Sequence, residues 1–232
     1  MKKKIRLLLL LFCLLVTCSG CTVLSLLGGG LQNYTKEDAL LMVKGNLDSM
    51  YLDQHDPEYL AFCETTEEEA HQDYEDGIAY EVEYLFSYFE IEPQMISMEQ
   101  YERAVQLYHK IYDRIKYEIG ECIRAEDRFL VSVTVYPIDI IQRAAEKDYD
   151  KILDEWENEV DAGILDELTD VQVEQWWAER VLDMLESHID AIGYLTPVEI
   201  SVQVVVEESA DGSYITIVES DWLRIYEEII SY

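Results

Sequence analysis

Two stretches of strict alternation constrain this chain more than any other feature. Phe129, Val131, Val133 and Val135 are apolar at every second position, and so are Val198, Ile200, Val202, Val204 and Val206. A period of two buries one face of a strand and wets the other. Each run has a neighbour close in sequence. Tyr117, Ile119 and Ile123 precede the first across the polar break Ala125-Glu126-Asp127, and Tyr214 to Val218 follow the second across Asp211-Gly212. Strands that arrive in adjacent pairs make antiparallel hairpins, not β-α-β units. The expected fold class is therefore α+β: two β-hairpins in one antiparallel sheet of about four strands, covered by about six to seven helices.

The helices announce themselves by caps and by spacings of three and four. Thr35-x-x-Asp38, Thr66-x-x-Glu69, Ser97-x-x-Gln100 and Thr169-x-x-Gln172 each read as a capping box. Asp56-Pro57 opens a short helix, and Glu92-Pro93 closes a long one. The stripe Tyr101, Val105, Tyr108, Tyr112 and Ile115 is the clearest amphipathic pattern. Further helices are expected over about 139–160, from Thr169 to a C-cap at Gly193, and over about 221–230.

The start of the chain reads as an address. Lys2, Lys3, Lys4 and Arg6 precede the apolar run Leu7–Val16, which is too short to span a bilayer. Small residues Ser19 and Gly20 then lead to Cys21. This pattern resembles a bacterial lipoprotein precursor. The resemblance implies cleavage before Cys21, a palmitate-type lipid on that cysteine, and a location on the extracytoplasmic face of the cell membrane. Cys18 is the alternative, with Leu15 three positions before it but Thr17 directly before the cut. Residues 1–20 are then a signal peptide. Residues 21–33, with Gly28-Gly29-Gly30, are a lipidated cysteine and flexible tether, and 34–232 are a single acidic domain. Lys44–Leu52, Val135–Gln142 and Ile192-Gly193-Tyr194 also resemble segments of uncharacterised lipoproteins of Gram-positive gut bacteria. None of these segments has chemistry attached.

Charge narrows the partners. The 232 residues carry 49 acidic and 17 basic side chains, a net charge of −32. Such a surface repels phosphates, so no nucleic-acid partner is expected. The expected partners are the membrane, through the N-terminal lipid, and a protein or cell-wall ligand. Cys63 and Cys122, both in the folded part, are read as free, partly buried thiols, and a disulfide between them remains open.

The search for chemistry is short. There is no Gly-x-Ser-x-Gly, no phosphate loop, no dinucleotide fingerprint and no His-Glu-x-x-His. Glu68 and His71, at i and i+3, form half of a di-iron motif whose other half is missing, so no metal ligand and no cofactor are assigned. Asp148-Tyr149-Asp150 starts like a calcium loop but lacks the turn glycine and the third acidic ligand. Weak, diffuse Ca²⁺ binding is all that is expected of the acidic surface. Catalytic residues are not assigned. Tyr80, Tyr84 and Tyr88 line one side of a helix, and with Trp176 and Trp177 they are the aromatic candidates for ligand contact. The expected function is a membrane-anchored, non-enzymatic binding or interaction domain. The alternative is a cell-wall or glycan hydrolase working through two carboxylates.

Overall fold

The computed structural model describes residues 30–209 and 212–232. The proposed lipidation residue Cys21, the signal segment, most of the tether and Asp211 of the second turn lie outside the described residues. Among those described, seven α-helices accompany one four-stranded antiparallel sheet, so the α+β expectation holds. The helices are α1 (Lys36–Leu52), α2 (Pro57–Phe62), α3 (Glu67–Tyr88), α4 (Met98–Tyr112), α5 (Ile140–Asp161), α6 (Asp170–His188) and α7 (Glu219–Ile229). The strands are β1 (Lys116–Arg124), β2 (Arg128–Tyr136), β3 (Val198–Ser209) and β4 (Gly212–Ile217), in spatial order β1-β2-β3-β4. The chain divides into two compact units, each built from three stretches of sequence.

Among the described residues the first unit comprises 30–72, 118–134 and 199–226 without 210–211, and it holds most of the sheet. Phe129, Val131 and Val133 of β2 and Ile200, Val202 and Val204 of β3 are fully buried, as the alternation predicts. The pairing of β2 with β3 shows in side chains. Arg128 donates to Gln203, and Ser132 donates to Glu199 at 2.9 Å. Partner numbers fall as residue numbers rise, which is the antiparallel sense. In the second hairpin Val204 faces Ile217 and Val206 faces Ile215. The edge strand β1 departs from expectation. Cys122 is buried, whereas Ile123 is 52% exposed. The burial phase slips by one residue at Gly120–Glu121, where two successive positions face outward. Helix α1 lies against β4, and the Tyr34 hydroxyl donates to the Ser213 carbonyl at 2.6 Å. Before α1, Leu31–Asn33 form a 3₁₀ turn. Arg124 fastens it by donating to the carbonyls of Leu31 (2.9 Å) and Tyr34 (3.2 Å).

The second unit comprises 73–117, 135–198 and 227–232. Its core is formed by Ile78, Val82 and Leu85 of α3, Leu107, Tyr108 and Ile111 of α4, Ile140 and Ile141 of α5, and Val181, Leu182 and Leu185 of α6. The buried face of α4 is turned from the expected stripe. Ala104 and Leu107 are buried, while Tyr101 and Val105 are only half-buried. The cause is polar: Gln100 and Arg103 on that face reach α6. Gln100 donates to the Gln175 carbonyl at 2.7 Å. Arg103 donates to Glu179 (2.6 Å), Asp183 (2.8 Å) and Glu186 (2.9 and 3.1 Å). One guanidinium thus holds three carboxylates of one helix, in a chain with a large negative excess. Arg103→Gln should destabilise the protein by about 2 kcal/mol at low salt, because charged hydrogen bonds are lost and three like charges are left facing each other. Melting at low and high salt checks this. A shift independent of salt would show that packing, not charge, is what Arg103 supplies.

Helix α6 stops at His188, and Ile189–Ala191 continue as a 3₁₀ turn, so Gly193 is not its cap. Gly193 serves elsewhere. Pro137–Asp139 run as a short extended segment between residues 193–195 and 229–231. Ile138 bridges to Tyr194 on one side and Ile230 on the other, and its amide donates to the Ile229 carbonyl at 2.9 Å. Asp139 heads α5 but does not cap it. Its buried carboxylate accepts from the Gly193 amide at 2.9 Å and from Arg143. Segments 135–142 and 192–194, both singled out in the sequence, therefore pair with each other and serve the architecture of this unit.

Candidate functional site

The five aromatic candidates all fall in the second unit. Tyr84 and Tyr88 are met edge-on by the ring of Tyr232, with centroids 4.7 and 5.5 Å away. The Tyr232 hydroxyl donates to buried Glu81 at 2.8 Å and shares a hydrogen bond with Tyr108. Burial, reinforced by the Glu81 charge, pushes the phenols of Tyr84 and Tyr108 above their ordinary range. These hydroxyls therefore stay protonated, and with the Tyr232 proton given to Glu81, the Tyr108 hydroxyl donates to Tyr232. Tyr80 is half-buried, and Tyr88 is exposed.

Trp176 and Trp177 join Trp156 in a cluster with centroids 5.6 to 6.5 Å apart. Trp177 donates its indole N–H to the Phe89 carbonyl at 2.9 Å, and Tyr149 packs on its ring edge-on. Arg180 lies over Trp176, 4.4 Å from its centroid. Adjacent residues on a helix point about 100° apart. Here that divergence sends Trp177 toward α3's C-terminal end and leaves Trp176 beneath a cation.

Asp148 and Asp150, the start of the rejected calcium loop, lie inside α5. The Asp148 carboxylate is held by Lys151 and, at 2.5 Å, by His188. Those hydrogen bonds lower its pKa. Cys63 and Cys122 are both buried and are not joined by a disulfide, and burial raises the Cys122 thiol.

A different cluster lies in the first unit, one that sequence reading does not assemble. Asp53 ends α1 in the left-handed region, at φ 51° and ψ 35°. His55 follows in the link to α2, and His71 sits in the second turn of α3. The Asp53 Oδ1 lies 2.9 Å from His55 Nε2 and 2.8 Å from His71 Nδ1. His55 is 6% exposed at its side chain, against 36% for Asp53 and 53% for His71. On the far side of the His55 ring, Nδ1 faces the Ser49 hydroxyl at 3.4 Å. One ligand atom from each of the three residues falls within 4.8 Å of the others. His71 is thus grouped with Asp53 and His55, not with Glu68 as its helical spacing suggests. The signal that could have found the group is Asp53-x-His55, two metal-ligand residues bracketing one position just after a helix. Nothing in the sequence joins that pair to a histidine sixteen residues further on.

Among solved structures, the fold is similar to YcdA of Bacillus subtilis subsp. subtilis strain 168, a crystal structure provisionally described as that of a lipoprotein. The TM-score is 0.54 at 11% identity, over 84% of this chain and 56% of that one. At this identity the likeness concerns the fold alone, and this chain spans little more than half the length of that chain. No protein-family profile matches the chain, and no curated protein matches it by sequence. Among the described residues no helix is long and apolar enough to cross a membrane.

Proposed function

We propose that the chain is an extracytoplasmic lipoprotein: a non-enzymatic binding or interaction domain held at the cell membrane by lipid on Cys21. The observation that carries this reading is the order of residues at the start: a basic segment, a short apolar run, then Ser19-Gly20-Cys21. Two further facts support it. The fold is similar to that of a chain provisionally described as a lipoprotein. And Arg124 secures the backbone at Leu31, ten residues past Cys21. A chain reaches at most about 3.3–3.6 Å per residue, so the folded part would begin within roughly 35 Å of its anchor. The side-chain charge would hold it off an anionic bilayer while the lipid retains it. For partner contact we propose Tyr88, the exposed member of the aromatic set, and the half-buried Trp176.

Replacing Cys21 by serine tests the anchor. In cells fed a labelled fatty acid, the unaltered protein should carry label and sediment with membranes. Cys21→Ser should lose the label completely and shift to the soluble fraction or remain as an unprocessed precursor. A single acyl chain gives only marginal binding, so loss of the doubly acylated anchor is an all-or-none change. Label that persists on the serine variant would refute Cys21 as the site.

A further inference from the structure

We propose that Asp53, His55 and His71 bind one borderline-soft divalent cation of the Zn²⁺ type, with a fourth position open to solvent. This inference stands on the first unit alone and does not depend on the lipid anchor.

The donor set selects the ion. Two imidazole nitrogens and one carboxylate oxygen suit Zn²⁺, whereas Ca²⁺ takes six to eight oxygens and Mg²⁺ an octahedron of them. Two of the three ligand separations are near those required, and the third, between the two imidazoles, lies within 4.8 Å. A tetrahedral ion with bonds of about 2.0–2.1 Å sets its ligand atoms about 3.3 Å apart. The two observed contacts to Asp53 Oδ1, 2.9 and 2.8 Å, need to open by only a few tenths of an ångström.

Hydrogen bonding around His55 prepares the site. The Ser49 hydroxyl lies 3.4 Å from the Gln54 carbonyl and 3.4 Å from His55 Nδ1. With Nδ1 engaged on that side, the ring presents Nε2 to the Asp53 carboxylate at 2.9 Å. A cation bound there takes the place of the ring proton that otherwise joins the two groups. A histidine ligand whose other nitrogen is held by a neighbour is the usual outer-shell arrangement of protein metal sites. The buried ring of His55 gives the site a fixed member. The exposure of His71 and Asp53 leaves room for water, or for a partner's side chain, as the fourth ligand. The excess of negative charge on the chain raises the local concentration of cations.

The full chain, extracted in detergent and stripped with a chelator, is titrated with Zn²⁺ against a chromophoric zinc indicator. Millimolar Mg²⁺ is present to occupy the acidic surface. We expect one Zn²⁺ per chain, and a rise in melting temperature on adding it. His71→Ala should weaken binding by at least about 100-fold, more than the loss of an outer-shell partner does. Melting in chelator against the unaltered protein reads the structural cost of the change, including the lost Asp53 contact, separately from the loss of zinc affinity. Asp53→Asn is the second variant: asparagine keeps the left-handed backbone but removes the charge. It should weaken binding comparably. Zinc affinity unchanged in both variants would overturn the proposal and place the ion on the thiols or the general acidic surface. So would the absence of uptake above the Mg²⁺ background.

Discussion

Gly45→Ala should lower the melting temperature by roughly 6–12 °C, from a loss of about 3 kcal/mol. In the interior of a helix, alanine is ordinarily better than glycine by about 1 kcal/mol. At position 45 that preference is overwhelmed. A β-carbon there would lie 2.2 Å from Cγ and 2.3 Å from Cδ2 of the buried Tyr59 ring. The ring cannot simply rotate away, because its own Cβ would be only 2.6 Å from the new methyl. Helix α2 must therefore retreat from α1. The link between these helices carries Asp53 and His55, so the same substitution should also disturb the proposed cation site. Gly77→Ala is the matched control. It lies within α3, with nothing within 4 Å of the added carbon, and should stabilise the protein by about 1 kcal/mol. Equal melting temperatures for the two variants would mean that the close approach of α1 and α2 is not rigidly held.

Asp139→Ala should cost about 3 kcal/mol at pH 7, and the cost should shrink in acid. Asp139 is 7% exposed. Removing it leaves the Gly193 amide without its acceptor and takes the charged hydrogen bonds from Arg143, whose side chain is about a third exposed. Burial alone would raise the carboxyl of Asp139. The hydrogen bonds and charge of Arg143, with the Gly193 amide, more than offset that and hold it below its ordinary 3.8. With the folded pKa depressed, the unfolded chain binds more protons in the interval between the two values. Stability from this group is therefore full above about pH 5 and is lost as pH falls through the folded value. Denaturant titrations at pH 7 and in steps below pH 5 should show the two proteins converging in acid. A gap that stays constant down to low pH would assign the effect to packing.

What could be read from the sequence, and what could not, follows the range of the forces involved. Local signals were reliable. The capping boxes at Thr35, Ser97 and Thr169 are present, with both reciprocal hydrogen bonds, where the sequence places them. The alternation in β2 and β3 gave the correct inward faces. The errors arise where a distant partner overrides a local rule. Ile123 looks inward by alternation, yet the phase slip at Gly120–Glu121 turns Cys122 in instead. Gly193 looks like a helix cap, yet its backbone is engaged by Asp139, whose carboxylate accepts from its amide and whose own amide donates to its carbonyl. Asp139 stands where an N-cap belongs, but its carboxylate is taken by the Gly193 amide, 54 positions away, and by Arg143, one turn along the helix. The cation cluster is the extreme case. Its members are separated in sequence by a helix and two links, and only the return of α3 past the end of α1 joins His71 to Asp53 and His55.

The bridge at Ile138 has a consequence in time. Its partners include Ile230, so the second unit cannot close until residues 229–231 have been synthesised. Some 90 residues separate the two, and at about 5–20 residues per second the ribosome takes roughly 5–18 s to supply them. During that interval Pro137–Asp139 lack one of their two flanking segments. For the exported precursor proposed above, late closure of this kind would keep the chain open for passage as an extended thread.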